Sequence, residues 1–209
     1  MTVEAPPDTV EDVEQTTVSL LGKQGPFRPD VRLLERGGKK WVAKDYRACT
    51  PLYRITVGAW NLRRERAALD RLTDVEGVPH VEAQAGRWIL VISHFRGRDV
   101  GKTARERQSP EFFDDLQRIV HEMHARGVLH LDLRQRRNIL VQPNGRPAVI
   151  DFGAGLCVTP GGWLLRSLAR IDESGVLKYK RRARPDSLTQ AETDTLRGVE
   201  RRRRFWPFS

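Results

Sequence analysis

The chain has 209 residues and a formal net charge of +10, with 39% hydrophobic and 31% charged residues, which is ordinary for a soluble globular protein of one domain or two small lobes. Its longest apolar runs, such as Trp88-Ile-Leu-Val-Ile92, fall far short of the roughly 20 residues that a membrane-spanning helix needs. The acidic start, MTVEAPPDTVEDVEQ, lacks the apolar segment of a signal peptide, so a cytoplasmic protein is expected, with peripheral contact on the inner face of the membrane left open.

Residues 1–16 carry Pro6-Pro7 and scattered acids without periodicity and are expected to be a disordered acidic tail. From Val18 the pattern turns β-like: VSLLGKQ, DVRLLER, a Gly37-Gly38 turn, then KKWVAKDY, a hairpin signature. Residues 57–72 set Leu62, Leu69 and Leu72 on one stripe and predict an amphipathic helix. Gly77-Val-Pro79 ends that region, and strands are expected around VEAQ and RWILVISHF. A connector with Gly97 leads to a short helix and then a longer one, with Ser109 as N-cap, Pro110 at the first helical position and an end near Ala125. Strand-like VLHL, NILV and PAVIDF follow, and the chain beyond Pro160 reads as helical in LLRSLARI and TQAETDTLRGVERRRR.

The charge is uneven. Residues 1–17 hold Glu4, Asp8, Glu11, Asp12 and Glu14 with no Lys or Arg, so the remainder carries +15 and favours anionic partners. Cys49 and Cys157 form no CxxC pair and read as buried, reduced thiols. His121-Glu-Met-His124 is one residue short of a zinc-binding HExxH, so both histidines read as structural.

Phosphoryl transfer requires a cation on the phosphates, oxygen ligands for Mg²⁺ and a carboxylate facing the attacking hydroxyl. WVAKDY, HLDLRQRRNILV and VIDFG supply candidates for each, and in this order they resemble the Val-Ala-x-Lys strand, catalytic loop and metal-binding loop of protein-kinase-like phosphotransferases. The compact chain is similar to the small atypical bacterial type, the Rio-type and lipopolysaccharide-core kinases, over residues 18–172. The resemblance implies an α+β, two-lobed protein-kinase-like fold. Its parts would be a β-rich N-lobe at 17–95, a minimal helical C-lobe at 96–200 carrying the catalytic and metal loops, and a basic-aromatic tail at 201–209.

Carried over by motif, Asp132 is the catalytic aspartate, Asn138 and Asp151 are the Mg²⁺ ligands, and Lys44 is the lysine on the ATP phosphates. Glu65 is the candidate partner of Lys44, although it sits on the more polar side of its helix. Gly22 and Gly25 in LLGKQGPF stand in a sparse phosphate loop, and Ile92 to Phe95 is the adenine hinge. His130 resembles the histidine that packs beneath the loop. Arg134, where many kinases keep a lysine, reads equally as a ligand for the γ-phosphate or an anionic acceptor and as a solvated arginine; Arg136 and Arg137 read as solvated.

Three departures stand out. Asp132 and Asn138 are one residue further apart than in the common Asp-x-x-x-x-Asn pattern, so either the extra residue bulges out or the metal geometry changes. The glycine loop is sparse, and no Ala-Pro-Glu follows Asp151-Phe-Gly, so the peptide platform of ordinary protein kinases is expected to be missing. The function expected is transfer of the γ-phosphate of ATP to a hydroxyl acceptor: a lipid-linked sugar, another small molecule or a protein Ser/Thr. The alternative is a pseudokinase or Rio-like ATPase, a nucleotide-binding scaffold at membrane or RNA. ERRRRFWPFS suits an anionic membrane interface, nucleic acid being the lesser option.

Overall fold

A computed structural model of the chain describes residues 4–22, 24–101 and 108–204, without side chains for 199–204. The chain forms two compact units, Met1–Thr73 with Pro79–Phe95, and Asp74–Val78 with Arg96–Ser209.

The first unit is a five-stranded antiparallel sheet. Its strands are β1 (Thr17–Leu21), β2 (Asp30–Arg36), β3 (Lys39–Asp45), β4 (Val81–Ala85) and β5 (Ile89–Ser93), in the order β1-β2-β3-β5-β4. The β2–β3 hairpin closes on Gly37 and Gly38 at φ 57° and 81°, two consecutive left-handed residues that match the twist of the flanking strands. On β3, Trp41 and Ala43 face one side, packed with Leu34, Ala85, Ile89 and Val91. Alternation sends Val42 and Lys44 to the other.

Residues 10–16, expected to be disordered, instead form helix α1 (Val10–Thr16), capped by Thr9, whose Oγ1 accepts the Asp12 N–H at 3.1 Å. Val10 and Val13 cover the Trp41 face of the sheet. The acids that suggested a solvated tail hold the helix down, Asp12 pairing with Arg36 at 2.7 Å and Glu14 with Arg47 at 2.9 Å. After β3 the chain enters a helical run earlier than expected: α2 (Pro51–Tyr53), a π-helical turn (Arg54–Gly58) and α3 (Ala59–Arg71).

The second unit is built on three helices, α4 (Pro110–Ala125), α5 (Trp163–Ala183) and α6 (Gln190–Arg204). Ser109 caps α4 through the Phe112 N–H at 3.3 Å with Pro110 next to it, as its sequence predicts. Phe112, Phe113, Leu116, Ile119 and Met123 of α4 are buried, and both phenyl rings meet Tyr179 of α5 with centroids 6.2 and 5.3 Å away. Short strands carry the loops. β7 (Val128–Leu129) pairs with β10 (Leu156–Cys157), while β6 (Arg98–Asp99), β8 (Ile139–Val141) and β9 (Pro147–Val149) form a second small sheet. Of the short helix expected after Gly97, the first residues are β6, and 102–107 lie outside the described residues. Among the described residues no helix is long and apolar enough to cross a membrane.

Candidate active site

In the first unit, Lys44 and Glu65 form one pair. The Lys44 ammonium lies 2.5 Å from Glu65 Oε1, and the two residues are 8% and 1% exposed. The pair follows from two periodicities. Lys44 projects from the β3 face opposite Trp41 and Ala43. Glu65 falls on the buried stripe of α3 with Leu62, Ala68 and Leu69, not on the polar side that its arginine neighbours indicated. Glu65 Oε2 is buried without a hydrogen-bond partner. A buried ion pair gains little stability compared with an apolar pair of similar volume. An anionic ligand at the ammonium gives the arrangement a purpose.

In the second unit, the long spacing from Asp132 to Asn138 is resolved by two successive tight turns. The Gln135 N–H donates to Asp132 O at 3.1 Å and the Asn138 N–H to Gln135 O at 2.9 Å. Residues three apart eclipse in such a turn, so Asp132, Gln135 and Asn138 share one side. Their side chains bond accordingly. Gln135 Nε2 donates to Asp132 Oδ2 at 2.6 Å, and Asn138 Nδ2 donates to the same oxygen at 3.0 Å and to Asp132 O at 3.1 Å. The extra residue thus does not bulge away; it sets Gln135, which motif reasoning passed over, against the aspartate. With Nδ2 committed to two acceptors, the amide oxygen of buried Asn138 is the atom left to ligate a cation. An amide oxygen beside the Asp132 carboxylate is donor chemistry that Mg²⁺ takes.

Ile150 carries both loops on its backbone. Its N–H donates to Asn138 O at 2.9 Å, and its carbonyl lies 3.0 Å from His130 Nε2. Asp151 comes next, at φ 65° and ψ 72°; with Leu131 at φ 64°, it completes the set of non-glycine residues with positive φ among the described residues. Left-handed backbone costs about 1–3 kcal/mol per residue and marks functional loops. His130 is fully buried and packs on Phe152, ring centroids 4.7 Å apart. Its Nδ1 accepts the Asp132 N–H at 3.3 Å, so the ring proton sits on Nε2 and donates to Ile150 O. The scaffolding part expected of His130 has a concrete form here.

Asp172 on α5 was not singled out in the sequence. Fully buried, its carboxylate accepts the His130 N–H at 2.8 Å and the Leu131 N–H at 2.7 Å, with His124 Nε2 at 3.1 Å. Three donors hold the strained start of the loop. The signal was available, since Asp172 lies on the buried stripe of α5 with Leu165, Ala169 and Val176. One turn on, Gly175 lets the loop backbone approach. A Cβ there would stand 2.9 Å from Leu133 C and 3.1 Å from Arg134 N.

Other candidates are placed more plainly. Arg134 and Arg137 are exposed, and Arg136 is half-buried. Gly22 ends β1 at φ 88° with open space around it, and Gly25 bridges to Arg28. In the hinge candidate, the Ser93 N–H is taken by His80 O at 3.0 Å, while burial first and the Lys40 charge second push His94 below the usual histidine range. His121 is exposed and His124 is spent on Asp172, so the histidine pair holds no metal between them. Neither cysteine is in a disulfide; burial pushes Cys49 up, and its Sγ lies 3.2 Å from Arg28 O. In the basic-aromatic segment, 205–209 lie outside the described residues.

No protein-family model matches the chain. Among curated proteins it is similar to CBL-interacting protein kinase 16 of Oryza sativa subsp. japonica, 30% identical over 141 residues, which is 58% of this chain and 31% of that protein. The chain therefore spans about a third of that relative's length. Among solved structures it is similar to WaaP in complex with acyl carrier protein, at 18% identity and a TM-score of 0.59, covering 92% of this chain and 90% of that one. That likeness speaks to fold, and the curated relative is itself a protein kinase. The chain has a protein-kinase-like fold.

Proposed function

We propose that the chain is a kinase, an ATP- and Mg²⁺-dependent phosphotransferase that moves the γ-phosphate to a hydroxyl acceptor. Phosphotransfer is the activity to which the relatives point. The observation that carries the reading is the buried Lys44–Glu65 pair, an ammonium held at 2.5 Å by a carboxylate whose second oxygen has no partner. Lys44 anchors the α- and β-phosphates, and Glu65 fixes its direction. Asn138, through its amide oxygen, and Asp151 would hold Mg²⁺, which neutralises phosphate charge when bound. Asp132 is aligned by Gln135 and Asn138 on Oδ2, and Oδ1 is the atom that receives the acceptor's hydroxyl proton. Arg134, exposed beside this aspartate, serves an anionic acceptor or the γ-phosphate.

A small or lipid-linked acceptor is favoured over a peptide. Residues 154–162 alone join the metal loop to α5, and no Ala-Pro-Glu segment lies among them. The test is Mg²⁺-dependent loss of γ-phosphate from labelled ATP by the parent, Asp132→Ala and Asp151→Ala. Both variants are expected to lose turnover by about 100-fold or more, and turnover untouched by either change overturns the reading.

One observation favours a second reading, a Rio-like ATPase or nucleotide-binding scaffold. The β1–β2 loop is tied down by the Arg28 N–H on Gly25 O at 3.3 Å and the Thr50 N–H on Pro26 O at 3.0 Å. A pinned, glycine-poor loop is a weak phosphate cover. The product decides: phosphate released to water favours the second reading, phosphate on a lipid or sugar fraction the first.

A further inference from the structure

The first unit carries an exposed apolar cluster that phosphotransfer does not use. Phe27, Leu52, Ile55, Val57 and Trp60 are 66, 72, 58, 45 and 56% exposed. Four of them lie along one helical run, and the loop that carries Phe27 is tied to its start. The Thr50 N–H bonds Pro26 O at 3.0 Å, and the Phe27 and Tyr53 rings meet edge to face with centroids 5.8 Å apart. This joins the β1–β2 loop to the start of the helical run. Along that run Leu52 and Ile55 are three residues apart, and Trp60 lies one turn beyond Val57, so successive turns carry the stripe forward. Isolated exposed apolar residues are ordinary, but a group of them along one exposed run marks an interaction surface. No residue from Pro51 to Val57 is buried.

The charge around the cluster is predominantly positive; the exposed acid at its edge, Asp70, lies 3.6 Å from Arg66. From Arg36 to Leu69 the acids are Asp45 and Glu65, each 1% exposed. The arginines of the same stretch lie at or near the surface: Arg63 and Arg66 are exposed, Arg54 and Arg64 half-buried, and Arg28 on the adjoining loop is exposed. The Arg64 guanidinium lies 3.9 Å from the centre of the Trp60 ring, which joins an apolar plate to a cation. A second copy of this face would set like charges against each other. An anionic bilayer meets both demands. Aliphatic side chains enter the acyl boundary, the Trp60 ring lies at headgroup depth, and guanidinium groups take the lipid phosphates.

We infer that this face, Phe27 with Leu52, Ile55, Val57 and Trp60 and their arginine rim, docks the protein onto an anionic lipid surface. The inference does not depend on the phosphotransfer reading, and it locates membrane contact in the first unit rather than in residues 201–209.

The full chain is sedimented with vesicles of phosphatidylcholine alone and of phosphatidylcholine mixed with phosphatidylglycerol. Binding to the mixed vesicles is expected, weakening as salt rises, with little on phosphatidylcholine alone. The triple change Leu52→Ser, Ile55→Ser, Trp60→Ser is expected to lower partitioning by about tenfold or more, since binding scales with buried apolar area. Its melting temperature should stay at the parent's value, because the three side chains are largely in solvent. Arg28→Ala with Arg63→Ala leaves the apolar cluster in place and should flatten the salt dependence. Removal of 201–209 should leave most of the binding. Four results overturn the inference: no parental binding to mixed vesicles, equal binding by the triple variant, binding lost only with residues 201–209, or a dimer in solution that the triple change dissolves while vesicles are ignored.

Discussion

The pair Lys44–Glu65 lends itself to an experiment that separates stability from function. Glu65 is 1% exposed, so removing the Lys44 ammonium leaves a carboxylate buried without that partner. Lys44→Met is expected to lower stability by about 3 kcal/mol, read as a fall in melting temperature. Adding Glu65→Leu should restore most of that loss while ATP turnover stays absent, because the apolar pair packs but anchors no phosphate. Asp172→Asn probes the other unit. An amide accepts with one atom only, and its NH₂ would face the His130 or Leu131 N–H, which donate at 2.8 and 2.7 Å. Stability should fall by about 2 kcal/mol, with kcat falling more than KM for ATP changes. Lys44, Asp132, Asn138 and Asp151 stand out as candidates because their neighbours in the chain form motifs. Gln135 and Asp172 were not, since their importance lies in bonds to residues 132, 130 and 131 that only the folded chain brings about. Glu65 stood between: its position was readable, its direction was not, because three arginines around it disguise the buried stripe.

Local signals at the element scale were strongest where backbone conformation is demanding. Gly37-Gly38 and Ser109-Pro110 each announced a turn or cap that the structure has. Helix α1 escaped because two valines carry its packing and the acids around them resemble a solvated tail; Val13→Asp should release it, visible as a lower melting temperature and faster proteolysis before β1. Helix α5 raises the opposite point. Gly175 reads as a poor helix residue, but a Cβ would press on Leu133 C at 2.9 Å, so Gly175→Ala should cost about 1–3 kcal/mol despite alanine's better helix propensity. The start of α6 is acid-sensitive for a definable reason. Burial alone would push Glu192 up, but the Lys180 ammonium at 2.7 Å, the Thr189 N–H at 2.9 Å and Gln117 at 2.9 Å prevail and hold it below the usual carboxylate range. A carboxylate depressed by folding stabilises the native state at pH values above its unfolded pKa of about 4.3 and loses that contribution as pH falls towards its folded value. The parent should therefore lose stability on acidification below that point, and Glu192→Gln should flatten this limb of the pH–stability curve.

On the scale of the whole molecule, a sequence cut near residue 95 respects the order of strands and helices but not the way the chain is shared. Asp74–Val78 lies before β4 in sequence yet packs within the second unit. Its hold there is specific. Val75 and Val78 are each 3% exposed, the Gly77 carbonyl accepts the Val149 N–H at 2.8 Å, and Glu76 pairs with Arg146. Gly77 itself has φ 90°, and a Cβ there would lie 2.6 Å from Ile119 Cδ1 and 3.1 Å from Pro147 O. Short segments that cross over in this way leave no composition shift, because a handful of residues cannot alter a window average; only Gly77-Val-Pro79 hinted at it, as a place where a helix must stop. The consequence is testable with fragments. Residues 96–204 expressed alone would leave β9 without the Gly77 carbonyl and expose the cavity that Val75 and Val78 fill. Their thermal unfolding should be broad or absent, whereas addition of a peptide spanning 72–80 should restore a cooperative transition. Gly77→Ala in the intact chain should reproduce the defect in milder form, at about 1–3 kcal/mol, since both the left-handed backbone and the contact with Ile119 oppose a side chain there. A fragment 96–204 that melts as sharply as the whole protein would mean that the crossing segment is a passenger, and the second unit would then be a domain in the ordinary, contiguous sense.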